Sequence, residues 1–187
     1  LLAGSAVTTT IKNIGVKSGN LTGTEIVGGL VGQLSGRSKM TNGYSNATVS
    51  SSKSGGGLVG YLNNSTIKTS YSTGSVTGTG YGDLGGFIGL ADSGATIENS
   101  YSIGDVTHDT NGLIGGTAGS FIGQIILLGN YQITNSYSSG KVISNQEGFT
   151  VGFIGKIQDP YGSGTNPDKV TVTNSYFLKD NQTHGIK

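Results

Sequence analysis

The sequence has no cysteine and no tryptophan, two prolines, one arginine, and charged side chains at only 11% of its 187 positions. Each shortage excludes something. Without cysteine there is no disulfide framework and no thiolate metal site, so the chain must be held by its own hydrogen bonds and core. A formal net charge of +1, with no basic block, argues against a nucleic-acid partner. No apolar run approaches the roughly 18 residues that a membrane helix needs, so no membrane insertion is expected. The chain opens at Leu1 with no initiator Met and no basic stretch ahead of its apolar residues. No signal peptide is therefore read there, and the chain reads as a mature product or a piece of something longer.

What is abundant is equally telling. Glycine (35), serine (23), threonine (22) and asparagine (14) make up half of the chain. These residues favour turns or extended backbone over helix. The composition borders on low complexity. However, about a quarter of the residues are Leu, Ile, Val or Phe, more than disordered chains carry, and they recur in a fixed pattern.

Two phrases alternate along the chain. The first is two glycines, two apolar residues and a glycine: Gly28–Gly32, Gly56–Gly60 and Gly85–Gly89, with degenerate copies at Gly119–Gly123 and Val151–Gly155. The second reads apolar-x-Asn-Ser-Tyr-Ser, as in Ile97–Ser102 and Ile133–Ser138, with variants ending at Tyr44, Tyr71 and Tyr176. A glycine and a valine usually follow, as at Gly74 and Val76, Gly104 and Val106, and Gly140 and Val142. A worn copy opens the chain near Ile11. The phrases interleave without a miss at periods of 27 to 39 residues, which is the signature of a repeat architecture.

Ile97, Asn99 and Tyr101 share one parity, which predicts a strand through all three. The Val76 and Gly-Leu-Val-Gly segments predict two more short strands, bounded by residues suited to corners. Such a unit cannot bury its own apolar residues, but stacked units can. The expected fold is all-β: a parallel β-helix (β-solenoid) of about five to six coils, with roughly three short strands per coil and no substantial helix. The whole of 1–187 is read as one domain, with units near 11–23, 28–49, 56–78, 85–106, 119–142 and 151–178. A propeller blade would need more residues per unit, and a sandwich would not repeat so closely.

In this fold, equivalent residues stack as ladders inside the coil. Leu30, Leu58, Phe87, Phe121 and Phe153 form one ladder; Met40, Ile67, Ile97, Ile133 and Val172 a second; Val49, Val76, Val106 and Val142 a third. Asn42, Asn99, Asn135 and Asn174 make a partial amide ladder. Tyr44, Tyr71, Tyr101, Tyr137 and Tyr176 stack as well, and two readings stand for them: structural packing, or an exposed aromatic strip for sugars or another protein. Tyr61, Tyr81, Tyr131 and Tyr161 lie off this register and are expected to be exposed.

The paired phrases, with Gly56–Gly60 and Ser70–Val76 as good copies, resemble the GLUG motif, a short bacterial repeat. The resemblance covers residues 11 to 177. It implies a β-helical segment of a large secreted or surface protein, of the kind found in haemagglutinin-like adhesins and IgA-specific metallopeptidases. It supplies no catalytic residues.

Candidate chemistry is sparse. His108 and His184 stand 76 residues apart, and His108 reads as an exposed loop residue. No paired metal-ligand spacing and no nucleophile elbow occur. Gly78–Leu84 faintly resembles a calcium-binding nonapeptide, but one copy cannot complete a coordination shell. Asp105 with Asp109, and Asp159 with Asp168, are the only nearby carboxylate pairs that could serve glycoside hydrolysis, and both sit in connections where turn aspartates are the norm. Two long loops, near 107–118 and 157–169, are the places where a repeat scaffold could carry binding. They leave the unit at different corners, and their candidate residues are Asp109, Asn111, Asp159, Tyr161 and Asp168. Sequons at Asn20, Asn46, Asn63, Asn64 and Asn181 are near the level expected by chance in this composition.

The expectation is a non-catalytic extracellular or cell-surface module of a bacterial protein, an adhesin stalk or binding region without a cofactor. Its partners would be a host or cell-surface glycan or protein. Alternatives are a filament subunit joining copies of itself end to end, and an accessory or catalytic region of a secreted hydrolase.

Overall fold

The structure, a computed structural model, describes residues 1–109, 115–145, 152–162 and 168–178, together with the backbone of 182–184. Among these residues there is no helix. The strands fall into tiers. The first holds β1 (Ala3–Val7), β2 (Thr10–Val16) and β3 (Asn20–Gly23). The second holds β4 (Ile26–Gly28), β5 (Val31–Ser35), β6 (Lys39–Ser45) and β7 (Thr48–Ser51). The third holds β8 (Ser54–Gly56), β9 (Val59–Lys68), β10 (Tyr71–Ser72) and β11 (Val76–Thr79). The fourth holds β12 (Asp83–Gly85), β13 (Ile88–Glu98), β14 (Tyr101–Ser102) and β15 (Val106–Asp109). The fifth holds β16 (Thr117–Gly119), β17 (Ile122–Ile126), β18 (Tyr131–Thr134), β19 (Tyr137–Ser138) and β20 (Val142–Ser144). The last holds β21 (Ile154–Gln158), β22 (Val170–Thr173), β23 (Tyr176–Phe177) and β24 (Gln182–His184).

Each strand pairs in parallel with its equivalent one turn along, so the tiers build a β-solenoid of about five turns. The register places like on like: Met40 on Ile67, Ile97, Ile133 and Val172; Val49 on Val76, Val106 and Val142. Leu30, Leu58, Phe87 and Phe121 are fully buried, and Phe153 is 9% exposed. The degenerate glycine phrase at Gly119–Gly123 stacks as well as the good copies: the Phe121 ring lies 4.7 Å from both Phe87 and Phe153, nearly parallel to each. Val172 keeps the register of its ladder but is 45% exposed, since its tier has a described neighbour on one side only.

The glycine phrase is a matter of space. A Cβ on Gly89 would lie 2.8 Å from the Gly55 carbonyl and 2.9 Å from that of Asp83, both in the short glycine strands. One on Gly56 would fall on the Val59 carbonyl and within 2.7 Å of the Gly89 nitrogen. Real Cβ atoms do not approach backbone so closely, so two backbone layers press together here. This seam divides the interior in two. One apolar cluster contains the Leu30–Phe153 and Met40–Ile133 ladders. The other contains Val49, Val76, Val106 and Val142 with Val27, Leu84 and Ala118.

Full coils carry four or five strands, rather than about three, because the short glycine strands form a sheet of their own. The strand expected through Ile97, Asn99 and Tyr101 is also broken. β13 ends at Glu98, and Asn99 turns the chain with a φ of 51°. Asn13, Asn42, Asn135 and Asn174 share this conformation, although β2 and β6 run on through Asn13 and Asn42, and Thr69 stands in for asparagine with a φ of 50°. Asparagine tolerates this left-handed region better than most residues. The corner resets the alternation, so Tyr101 faces outward and the serines on either side of it, Ser100 and Ser102, are buried. Of the two readings of the tyrosines, packing within the coil or an outward strip, the ladder takes the outward position.

Candidate functional site

The loop candidates do not converge. Asp109 ends β15 and accepts a hydrogen bond from the Asn145 amide at 2.5 Å. Asp105 accepts one from the Lys141 backbone at 2.8 Å, so both carboxylates clamp the following coil. Asp159 accepts from the Tyr161 backbone at 2.9 Å, an Asx turn. Tyr161 is 67% exposed, and Asp168 is half-buried. Asn111 and Asn181, like parts of both long loops, lie outside the described residues, as does the His184 side chain. Among the described residues, no three His, Cys, Asp or Glu side chains come together as a metal-holding group.

Two aromatic expectations are corrected. His108 is 1% exposed rather than in an exposed loop. It lies in β15 opposite Gly78 and Ser144, on the same parity as the inward Val106. Burial pushes its pKa down, against a backbone hydrogen bond to Gly80 and the charge of Asp109. Tyr131, expected at the surface, is also 1% exposed, and its hydroxyl donates to the Ile126 carbonyl at 2.8 Å. It occupies the column of Ser65 and Ala95, where the extra residues between β17 and β18 widen the coil. Tyr61 is half-buried, and its hydroxyl donates to Asp92 at 2.9 Å. Tyr81 is exposed as expected.

The most perturbed carboxylate is one that sequence reasoning passed over. Asp83 accepts from the Thr117 hydroxyl at 2.9 Å, and its two oxygens lie 2.9 and 3.0 Å from the Gln124 amide. Burial pushes its pKa up to about 6; the Thr117 hydrogen bond and the Lys156 charge pull the other way. Its partners come from the fifth and last tiers, so the group joins three coils.

The asparagine–serine–tyrosine corner forms a second polar system. Asn42 donates to Asn13 at 2.8 Å, Asn135 to Asn99 at 3.1 Å and Asn174 to Asn135 at 3.3 Å. Behind them the buried serines form their own ladder: the Ser70 backbone donates to the Ser100 hydroxyl at 3.2 Å, and the Ser100 backbone to that of Ser136 at 3.3 Å. The serines after the tyrosines point across the interior. Ser72 donates to the Gly86 carbonyl at 2.5 Å and Ser102 to that of Ser120 at 2.7 Å. These bonds tie the tyrosine phrase of one coil to the glycine phrase of the next, which is why the two phrases travel together.

The outward tyrosines stack at 5.0 to 5.3 Å, within 12° of parallel, from Tyr44 to Tyr137. Stacked rings cover one another's faces, which are the surfaces a sugar would use, and leave ring edges and hydroxyls outside. Burial, followed by the neighbouring tyrosines, raises the Tyr101 pKa.

On the outer face of the second half of the long strands lies a groove of about 710 Å³ lined by Lys12, Lys39, Lys68, Glu98 and the threonines between them. It shares Lys39 and Thr66 with a smaller hollow of about 330 Å³ that reaches Arg37, Asn64 and Ser93. Lys68 and Glu98 form an ion pair at 2.9 Å.

Comparison with known families finds that residues 80–107 match the GLUG motif. The matched stretch begins just before β12 and ends within β15, so one motif is one turn of the coil. No curated protein matches the chain.

Proposed function

We propose that this chain is a non-catalytic module of an exported bacterial protein, a stiff spacer that also presents a binding surface at the cell exterior. The observation that carries the reading is the stacking of whole coils, one of them spanned by the GLUG motif match, through two separate apolar interiors. Such a rod holds shape along its length and exposes a long, regular side. The adhesive role rests on the resemblance to GLUG-bearing surface proteins. The polar systems have structural work to do: the serines, asparagines and the half-buried Asp83 bond neighbouring coils to one another.

The test is attachment. Purified chain should bind a glycan array or intact cells as a monomer, with rods visible by electron microscopy of the same sample. A monodisperse rod that attaches to no surface would sink the reading. A second reading, end-to-end assembly of copies, is favoured by one observation. Residues 1–75 hold six basic residues and one acidic residue, whereas 76–187 hold five and nine. Opposite charge on the two halves would draw one half of a copy toward the other half of the next. Concentration-dependent fibres that dissolve in salt would establish it in place of the first.

A further inference from the structure

We infer that the groove whose lysines stand on the first three coils is a binding face for an acidic polysaccharide, one bearing carboxylate or sulfate groups, laid along the solenoid axis. This deepens the adhesive reading above and rests on it.

Three observations converge. First, the cations form a line. Lys39 sits in the column of Thr10 and Thr66, and Lys12 and Lys68 sit in the neighbouring column on either side of Thr41. Successive coils thus present a lysine alternately left and right, about 4.8 Å apart along the axis by strand spacing. Beyond Lys68 the same column turns acidic at Glu98, whose pair with Lys68 closes the line. Among the described residues, no ion pair engages Lys12, Arg37 or Lys39.

Second, the only arginine in the chain stands beside this line in a conformation that costs energy. Arg37 has a φ of 64°, its nitrogen donating to the Asn64 carbonyl at 2.7 Å. At the same corner the first, third and fourth tiers use Thr8 (φ 50°), Asn64 (φ 43°), and Ser93 (φ 58°) with Gly94 (φ 86°), all smaller residues. A glycine would fit the backbone of Arg37 better. The side chain is what an arginine adds there: a planar fork suited to carboxylate and sulfate oxygens.

Third, what fills the space between the cations is hydroxyl and amide: Thr41, Thr66, Thr96 and Asn64. Hydroxyls match a sugar polymer. They do little for duplex DNA, which wants denser charge, and among the described residues that line the groove and hollow the one apolar side chain, Ala95, is buried and offers little to a lipid surface. The charge asymmetry of the chain puts this face on its basic half.

The experiment measures binding of the whole chain to heparin, to polygalacturonate, to a neutral glucan, to duplex DNA and to vesicles containing phosphatidylserine. The variant is R37G/K12T/K39T. Each change installs a residue that the local backbone or column already accepts, so melting should stay within a few degrees of the parent. The parent should bind at least one acidic glycan, weaken steeply as salt rises, and ignore the glucan. The triple variant should lose at least tenfold in affinity, K39R should bind like the parent, and K141T, on a different face, should be unchanged. Acidic-glycan binding that the triple variant keeps, equal binding to the neutral glucan, or tighter binding to DNA or vesicles would each overturn the inference. A triple variant that still attaches to cells as the parent does would overturn it while leaving the adhesive module standing. A parent that attaches to nothing would remove both.

Discussion

Two aromatic ladders climb this solenoid at nearly the same spacing, one inside and one outside. Phe87, Phe121 and Phe153 stack at 4.7 Å with almost no water contact. Tyr44, Tyr71, Tyr101 and Tyr137 stack at 5.0 to 5.3 Å with their edges in solvent. The geometry is common because the spacing between coils sets it for any side chain that repeats in register. The energetics are not common. Burial drives the inner ladder, whereas the outer one gains mainly ring-on-ring contact. Regular stacking alone therefore says nothing of which ladder holds the coil together.

The sharpest way to break the inner ladder is to force its coils apart. In Gly86→Ala the new methyl would collide with the Ser120 carbonyl of the next coil. The expected result is loss of the cooperative thermal transition, since neither backbone layer can move away without opening both interiors. Phe121→Ala removes one inner rung and should cost about 3–5 kcal/mol by denaturant unfolding; a cost near 1 kcal/mol would mean that the ladder is loosely packed.

Asp83, half-buried, tests the contact between coils from its polar side. Its folded pKa, about 6, lies above the ordinary value of 3.8, so the folded state holds the proton more tightly. Stability should therefore be highest below pH 4, fall as pH rises through the window from 4 to 6, and stay reduced above it. Asp83→Asn should keep the Thr117 contact, abolish that slope and raise stability at pH 7 by about 2 kcal/mol, allowing for partial exposure. A melting profile flat between pH 4 and 7 in the parent would count against the raised pKa. The smallest effect belongs to the outer ladder: Tyr101→Ala should cost about 1 kcal/mol and leave the fold intact. If it cost as much as Phe121→Ala, the contrast between inside and outside would collapse.

The ladders were legible in the sequence because a parallel coil places each residue on its own equivalent, so a repeat in sequence is a column in space. What alternation could not reveal was the side on which a column stands. The left-handed corner at Asn99 inverts the parity of the residues beyond it, moving Tyr101 outward and Ser100 and Ser102 inward. His108 was readable, since it shares the parity of Val106 and its equivalents Ser51 and Ser144 are buried too. Tyr131 was not, because room for it comes from the extra residues before it rather than from its place in the repeat. Asp83 belongs to the short glycine strands, whose own sheet no periodicity announced. The basic groove escaped because its lysines occupy alternating columns and so never repeat in phase.

The serine bonds that join the tyrosine phrase of one coil to the glycine phrase of the next have an evolutionary consequence. The same joint, a serine hydroxyl on a glycine-phrase carbonyl, recurs at Ser72 with Gly86 and at Ser102 with Ser120. Unequal recombination that duplicates or deletes a stretch the length of residues 80–107 would add or remove one complete rung. It would keep the register of the later coils, although a deletion that took Asp83 would strip Thr117 and Gln124 of a partner. Reach can then be adjusted by gene slippage in whole rungs, before selection has altered a single side chain.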